Sequence, residues 1–221
     1  MDKKHKTITG PERQPITDFS KNASPECTCR DMPREAARPS DARAKNPAAA
    51  GLHIRPESET EFAEIHDLIR TAFETAHVSD GNEQDFADGL RSGEGYIPLL
   101  ALVAELDGRP VGHSMLTKTA VERPDGSAFG ALLLAPLSVR LEYRNRHIGS
   151  ALIRESFRRA VQMGYTAVFL CGDPDYYGRF GFRRTSDFGI RPKHGLPEQY
   201  VLACELVPGA LDGITGTVDY C

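Results

Sequence analysis

The stretch that decides the fold runs from Leu132 to Ser150, LLLAPLSVRLEYRNRHIGS. Its first half is apolar, carries Pro136, and reads as a strand. Its second half is a short basic loop, Arg144-Asn145-Arg146-His147, that opens straight into helical spacing at Ile148, Ala151 and Leu152. A strand feeding a helix through such a loop brings free backbone amides and the positive end of the helix dipole to one point, which makes an anion site. Arg144 and Arg146 add charge suited to phosphate oxygens, and Gly149 lets a phosphate approach the backbone. No Gly-Lys-Ser/Thr follows, so this is not a P-loop, and one glycine is no dinucleotide fingerprint. The residues alone leave two readings: a phosphate-bearing ligand at a helix start, or a basic loop capping an ordinary helix.

Working outward, the strand Phe129–Val139 should bulge or splay at Pro136, which cannot donate a ladder hydrogen bond. The helix stops at Gly164, and Thr166–Cys171 is a short apolar strand. Strand, helix, strand is a crossover unit, so the two strands should be parallel. Upstream, Asp107-Gly108 predicts a hairpin between Leu99–Leu106 and Val111–Val121, and Asp125-Gly126 a second turn. Before them lie a short strand, Leu52–Arg55, and two helices over 58–74 and 81–91. Ser58 with Glu61 and Asp80 with Glu83 have capping-box spacing. Downstream, Asp173-Pro174 opens a short helix that Gly181 closes, and strands follow near Phe182–Thr185 and Gln199–Leu206. The sum is an α+β domain with a mixed sheet of six to seven strands and about four helices.

Composition sets the outer limits. Residues 1–50 hold ten basic and seven acidic residues and six of the fifteen prolines, with few large apolar side chains. Such a segment cannot offset about 1–2 kcal/mol of backbone entropy per ordered residue, so it reads as a disordered tail. Residues 51–221 form one domain with 17 basic and 24 acidic residues. A net of −7 argues against a nucleic-acid partner. The apolar runs are far short of the ~20 residues of a membrane helix, and Lys3, Lys4 and Lys6 precede no apolar stretch, so neither a membrane span nor a secretory signal is expected. Five scattered cysteines make no disulfide framework, and Cys27-Thr28-Cys29 lacks a second ligand pair for zinc. A reduced cytoplasm and no metal are the expectation.

The loop Arg144-Asn145-Arg146-His147-Ile148-Gly149 resembles the Arg/Gln-x-x-Gly-x-Gly/Ala motif of the GNAT superfamily of N-acetyltransferases. The segment GDPDYYGRFGF, Gly172–Phe182, is similar to the Tyr-x-x-x-Gly-Phe end of the same fold, in the form found in a branch of small bacterial enzymes. The order of elements matches from Leu52 to about Leu206. His147 stands where the motif has its first glycine; a positive φ there would strain it.

The resemblance implies a GNAT acyl-CoA N-acyltransferase fold with a splayed parallel strand pair, and acetyl-CoA as cosubstrate without a metal. It implies that the amides of Arg146, His147, Ile148, Gly149 and Ser150 cradle the pyrophosphate. Leu137, Ser138 and Val139 would pair with the pantetheine arm, and an amide near Leu137 would stabilise the oxyanion. Tyr177 falls where the family has the tyrosine that protonates the leaving thiolate; the alternative is that it packs beneath the cofactor. Tyr176 is assigned to packing. Glu83 is the first candidate for general base, ahead of Asp173, whose better role is a helix cap, and His113, a strand histidine. Cys171 reads as a small buried hydrophobe. His66 and His77 have no evident partner. The implied activity is transfer of an acetyl group to a primary amine, probed against two alternatives: a non-catalytic acyl-CoA sensor, and a protein lysine or N-terminal acetyltransferase. Strand edges in such sheets also pair into homodimers, by analogy of fold alone.

Overall fold

The computed structural model describes residues 51–76, 79, 81–193 and 196–220. The expected tail, the Cys27–Cys29 pair, His77 and the Asp80 half of the second capping box lie outside them.

The chain opens with strand β1, Leu52–Pro56. A single 3-10 turn follows, in which the Glu61 carboxylate accepts the Ser58 amide at 3.1 Å, closing the predicted capping box. Helix α1, Phe62–Phe73, buries Ile65, Leu68, Ile69 and Ala72 on one stripe, and α2, Glu83–Arg91, packs beside it. Strands β2, Ala101–Leu106, and β3, Arg109–Glu122, turn at Asp107-Gly108, where both residues have positive φ, the geometry that two-residue hairpins favour. Strand β4, Ala128–Val139, leads through the basic loop to α3, Ile148–Gln162. The Tyr165 amide bonds Ala160 O and the Gly164 amide bonds Val161 O, with Gly164 at φ +87°; this Schellman closure ends α3 where the glycine predicts.

Strand β5, Ala167–Cys171, runs parallel to β4. Helix α4, Pro174–Tyr177, is capped by Asp173, whose carboxylate accepts the Asp175 amide. The rest is sheet: β6, Arg183–Arg184; β7, Ile190–Pro192; β8, Val201–Glu205; and β9, Gly216–Val218. The main order is β1-β2-β3-β4-β5-β8-β6, with β9 pairing antiparallel to β3 and parallel to β7. Among the described residues the sheet is therefore mixed and accompanied by four helices, as expected, and it grows to nine strands. The two extra strands, β7 and β9, have three residues each, too few for an alternating pattern to be read.

One irregularity in β4 positions the site. Leu137 pairs with Ser114 and Leu134 with Leu116, so Ala135 and Pro136 together oppose Met115. This bulge lies at the predicted proline, and it reverses which residues face which side. Before it, Leu132 and Leu134 pack with Ile153 and Ala160 of α3; after it, Leu137 and Val139 take that side, against Ile148 and Leu152. The opposite face carries α1 and α2 on Val103 and the segment around Leu211, Ile214 and Val218 on Leu133. The register of β4 with β5 covers only Leu132 with Val168 and Leu133 with Phe169, so Leu137–Val139 leave one edge unpaired by β5.

Candidate active site

A cleft of about 910 Å³ follows that free edge. At one end it meets the first turn of α3. The first intrahelical bond there is from the Ala151 amide to His147 O, 2.9 Å, so the amides of Ile148, Gly149 and Ser150 precede the ladder and remain as donors. His147 caps the helix at φ +61°, ψ 13°, and Asn145 has φ +59°. The position does require a left-handed residue, and histidine bears that strain.

A Cβ added to Gly149 would lie 2.8 Å from the Tyr176 hydroxyl. Tyr176 does pack, 4.8 Å from the Tyr177 ring and under the Arg179 guanidinium at 4.1 Å. Its hydroxyl, however, faces the anion-binding turn, a role that helical spacing alone did not suggest. The two loop arginines also differ from expectation. Arg144 donates to Thr75 Oγ1 at 2.8 Å and to the carbonyl of Ala72, so it latches the loop onto the end of α1. Arg146 lies over the Tyr143 ring at 5.2 Å and is not on the cleft wall. Leu137, Ser138, Val139, Arg144, Asn145, His147, Ile148, Gly149 and Ser150 all are.

Tyr177 lines the same cleft. Its ring lies against Gly172, where a Cβ would fall 2.5 Å from a ring carbon, and it meets Phe182 edge-on at 5.6 Å. Desolvation pushes its hydroxyl well above the usual phenol range, so it keeps its proton at neutral pH. Cys171 beside it is exposed rather than buried, because it ends β5 at the cleft. Partial burial still raises its thiol, which disfavours the thiolate a covalent mechanism needs.

The cleft is also walled by Phe73 of α1, by Glu83 and Phe86 of α2, and by Tyr200 and Tyr220. Glu83 thus comes to the cleft as its position suggested, while Asp173 serves as the α4 cap. His66 has a partner after all, Asp88 at 2.8 Å, on the outer side of the α1–α2 pair. His113 is fully buried on β3, with Nε2 2.8 Å from Glu57. Glu57, Arg91, Tyr96 and Tyr220 escaped sequence reasoning. No spacing links residues 57, 91, 96 and 113, and Tyr220 lies beyond the last element that could be predicted.

A free strand edge meeting a glycine-bearing helix start is suited to an extended ligand with a phosphate end. The sequence model of the acetyltransferase (GNAT) domain family matches residues 53–185. The chain belongs to the GNAT acetyltransferase family. It is 30% identical over 167 residues to the N-acetyltransferase YhbS of Escherichia coli K12, an alignment covering 76% of this chain and 95% of YhbS. The crystal structure of E. coli YhbS in complex with CoA superposes with a TM-score of 0.68 at 29% identity, covering 77% of this chain and 89% of that one. A GNAT acetyltransferase from Brucella melitensis in complex with acetyl-CoA gives 0.62 at 29% identity, over 77% and 96%. As a GNAT family member the chain is an acyltransferase. Among its described residues no helix is long and apolar enough to cross a membrane.

Proposed function

We propose that this enzyme moves the acetyl group of acetyl-CoA to a primary amine on a small molecule, by direct attack in a ternary complex. The observation that carries the reading is a cleft of about 910 Å³ that is lined both by the first turn of α3 and by aromatic side chains. That volume is of the order of a small-molecule site, roughly 300–1,000 Å³, and the cosubstrate's arm would take part of it. Acetyl-CoA supplies an activated acyl group as a thioester. The chain's own residues do the rest. The amides of Ile148, Gly149 and Ser150 bind phosphate, and the unpaired edge of Leu137–Val139 holds the pantetheine arm. An amide near Leu137 faces the developing oxyanion. Tyr177 gives its proton to the departing sulfur, and Glu83 offers the counter-charge for an ammonium. The free thiols of Cys171 and Cys204 suit the reduced cytoplasm in which we place the reaction.

The test is calorimetric titration of the full chain with acetyl-CoA, followed by thiol release across small amines and lysine-bearing peptides. Micromolar binding with release on a small amine supports the proposal. Release on peptides alone moves the acceptor to protein, and binding without release on any amine describes a sensor.

A further inference from the structure

A buried polar atom without a partner asks for an account. Among the described residues, His113 Nδ1, Ser138 Oγ and Tyr220 Oη are buried and make no hydrogen bond. All three belong to the face of the sheet that bears α1, α2 and the 211–220 segment. Ser138 and Tyr220 line the cleft. His113 stands directly across the β3–β4 ladder from Ser138, where side chains on one face come within about 5 Å at Cβ. Only the bulge at Ala135-Pro136 puts Ser138 on this side.

The other end of the imidazole is fixed. Glu57 Oε2 lies 2.8 Å from His113 Nε2, and the same carboxylate takes Arg91 Nε and Nη2 and the Tyr96 hydroxyl, each at 2.9 Å. Neither the Glu57 nor the His113 side chain has any solvent exposure. A carboxylate held ionised by an arginine has no proton to give, so Nε2 must carry the imidazole's proton and Nδ1 its lone pair. The basic atom is therefore the one that has no donor in the protein.

We propose that Ser138, His113 and Glu57 form a relay that removes the proton from the acceptor's ammonium, with Ser138 touching the amine, His113 as the base and Glu57 as a positioning residue. The inference rests on the amine acceptor proposed above. In the step, the Ser138 hydroxyl, unbonded in the resting structure, turns to His113 Nδ1; the ammonium N–H bond then breaks, and its proton passes to Ser138 Oγ as that hydroxyl hands its own to Nδ1. The imidazolium is then paired with Glu57. The freed lone pair forms the C–N bond as the C–S bond breaks. The sulfur takes the Tyr177 proton, and the second proton leaving the new amide nitrogen restores it. The proton on His113 goes to water after the products leave.

The groups facing His113 are Glu57 from the turn after β1 and Arg91 from α2, with Tyr96 behind Glu57; Val103 of β2 and Ile65 and Ile69 of α1 are apolar. Burial first, and Arg91 with it, holds the imidazole below its ordinary range against the pull of Glu57, so the resting base is neutral at pH 7.

The experiment compares kcat/KM for a series of primary amines of graded pKa in the full-length wild type, Ser138→Ala and His113→Gln, with melting midpoints and acetyl-CoA affinity measured alongside. Ser138→Ala deletes an unpartnered hydroxyl, so its fold is retained even where His113→Gln loses stability. For an alkylamine of pKa about 10, the relay requires a loss on the order of 10²-fold in both variants, recovering as pH rises toward the amine's own pKa. For an amine of pKa below about 6, already neutral at pH 7, the loss is within about twofold. Glu57→Gln removes the adjacent negative charge and shifts the acid limb of kcat/KM to lower pH. Equal losses across the series, or no loss in Ser138→Ala, overturn the relay while leaving the acetyltransferase reading intact. A wild type that acetylates no amine removes the acceptor reading, and the relay with it.

Discussion

His147 is a residue whose strain is visible in both sequence and structure. A left-handed conformation costs an L-residue roughly 1–2 kcal/mol, whereas glycine there gives back about 0.5–1 kcal/mol in chain entropy. His147→Gly is therefore expected to be neutral or stabilising by up to about 1 kcal/mol in thermal melts, and His147→Val to be destabilising. At Gly149 the expectation reverses. A methyl group 2.8 Å from the Tyr176 hydroxyl crowds the phosphate turn, so Gly149→Ala should weaken acetyl-CoA binding about tenfold in calorimetry, equivalent to about 1.4 kcal/mol. Tyr177→Phe should lower turnover more than affinity; equal turnover over a pH series would remove Tyr177 from the acid role. The loop was legible at this scale because glycine, histidine and arginine each carry a specific backbone or charge meaning. What was not legible is where an arginine's long side chain ends. Arg144 reads as a phosphate ligand by position and is spent on α1.

At the scale of elements, that latch gives its own expectation. Arg144→Ala leaves the Ala72 carbonyl at the end of α1 without its guanidinium and should lower stability by about 1–2 kcal/mol, read as a melting shift before any effect on binding. The elements from β1 to α4 follow from alternation, capping and turn chemistry, each of which is local. Pro136 announced the bulge because a missing amide is a local fact too. The Glu57–His113–Arg91–Tyr96 cluster is the opposite case. It is assembled from the turn after β1, α2, the lead into β2 and the middle of β3, and becomes visible only once the sheet and helices have packed.

For the whole molecule, the C-terminal segment matters more than its composition suggests. β9 pairs with β3 and β7, and a Cβ on Gly216 would lie 2.0 Å from the Glu122 carbonyl. Gly216 also has φ +145°. Removing residues 207–221 would uncover Val121, Ile190 and Leu133 and is expected to abolish cooperative folding, seen as loss of a single thermal transition. Acid should weaken the fold as well. Burial works to raise the Glu57 carboxyl, but the bonds from His113 and Arg91 prevail and hold it at about 2; Glu155, bonded by Arg158 and Arg159, is also held at about 2. A carboxyl depressed by folding contributes fully above its unfolded value of about 4.5, and that contribution disappears as pH falls toward 2. Melting midpoints measured from pH 6 to pH 2 should therefore drop below about pH 4.5, and less so in Glu57→Gln.

The two-residue interruption in β4 behaves like a phase slip in a zipper. Upstream of it odd-numbered residues meet the 211–220 segment, and downstream even-numbered Ser138 takes that face. A deletion that healed the slip would exchange the two faces of the strand beyond it in a single event, turning Leu137 and Val139 away from Ile148 and Leu152.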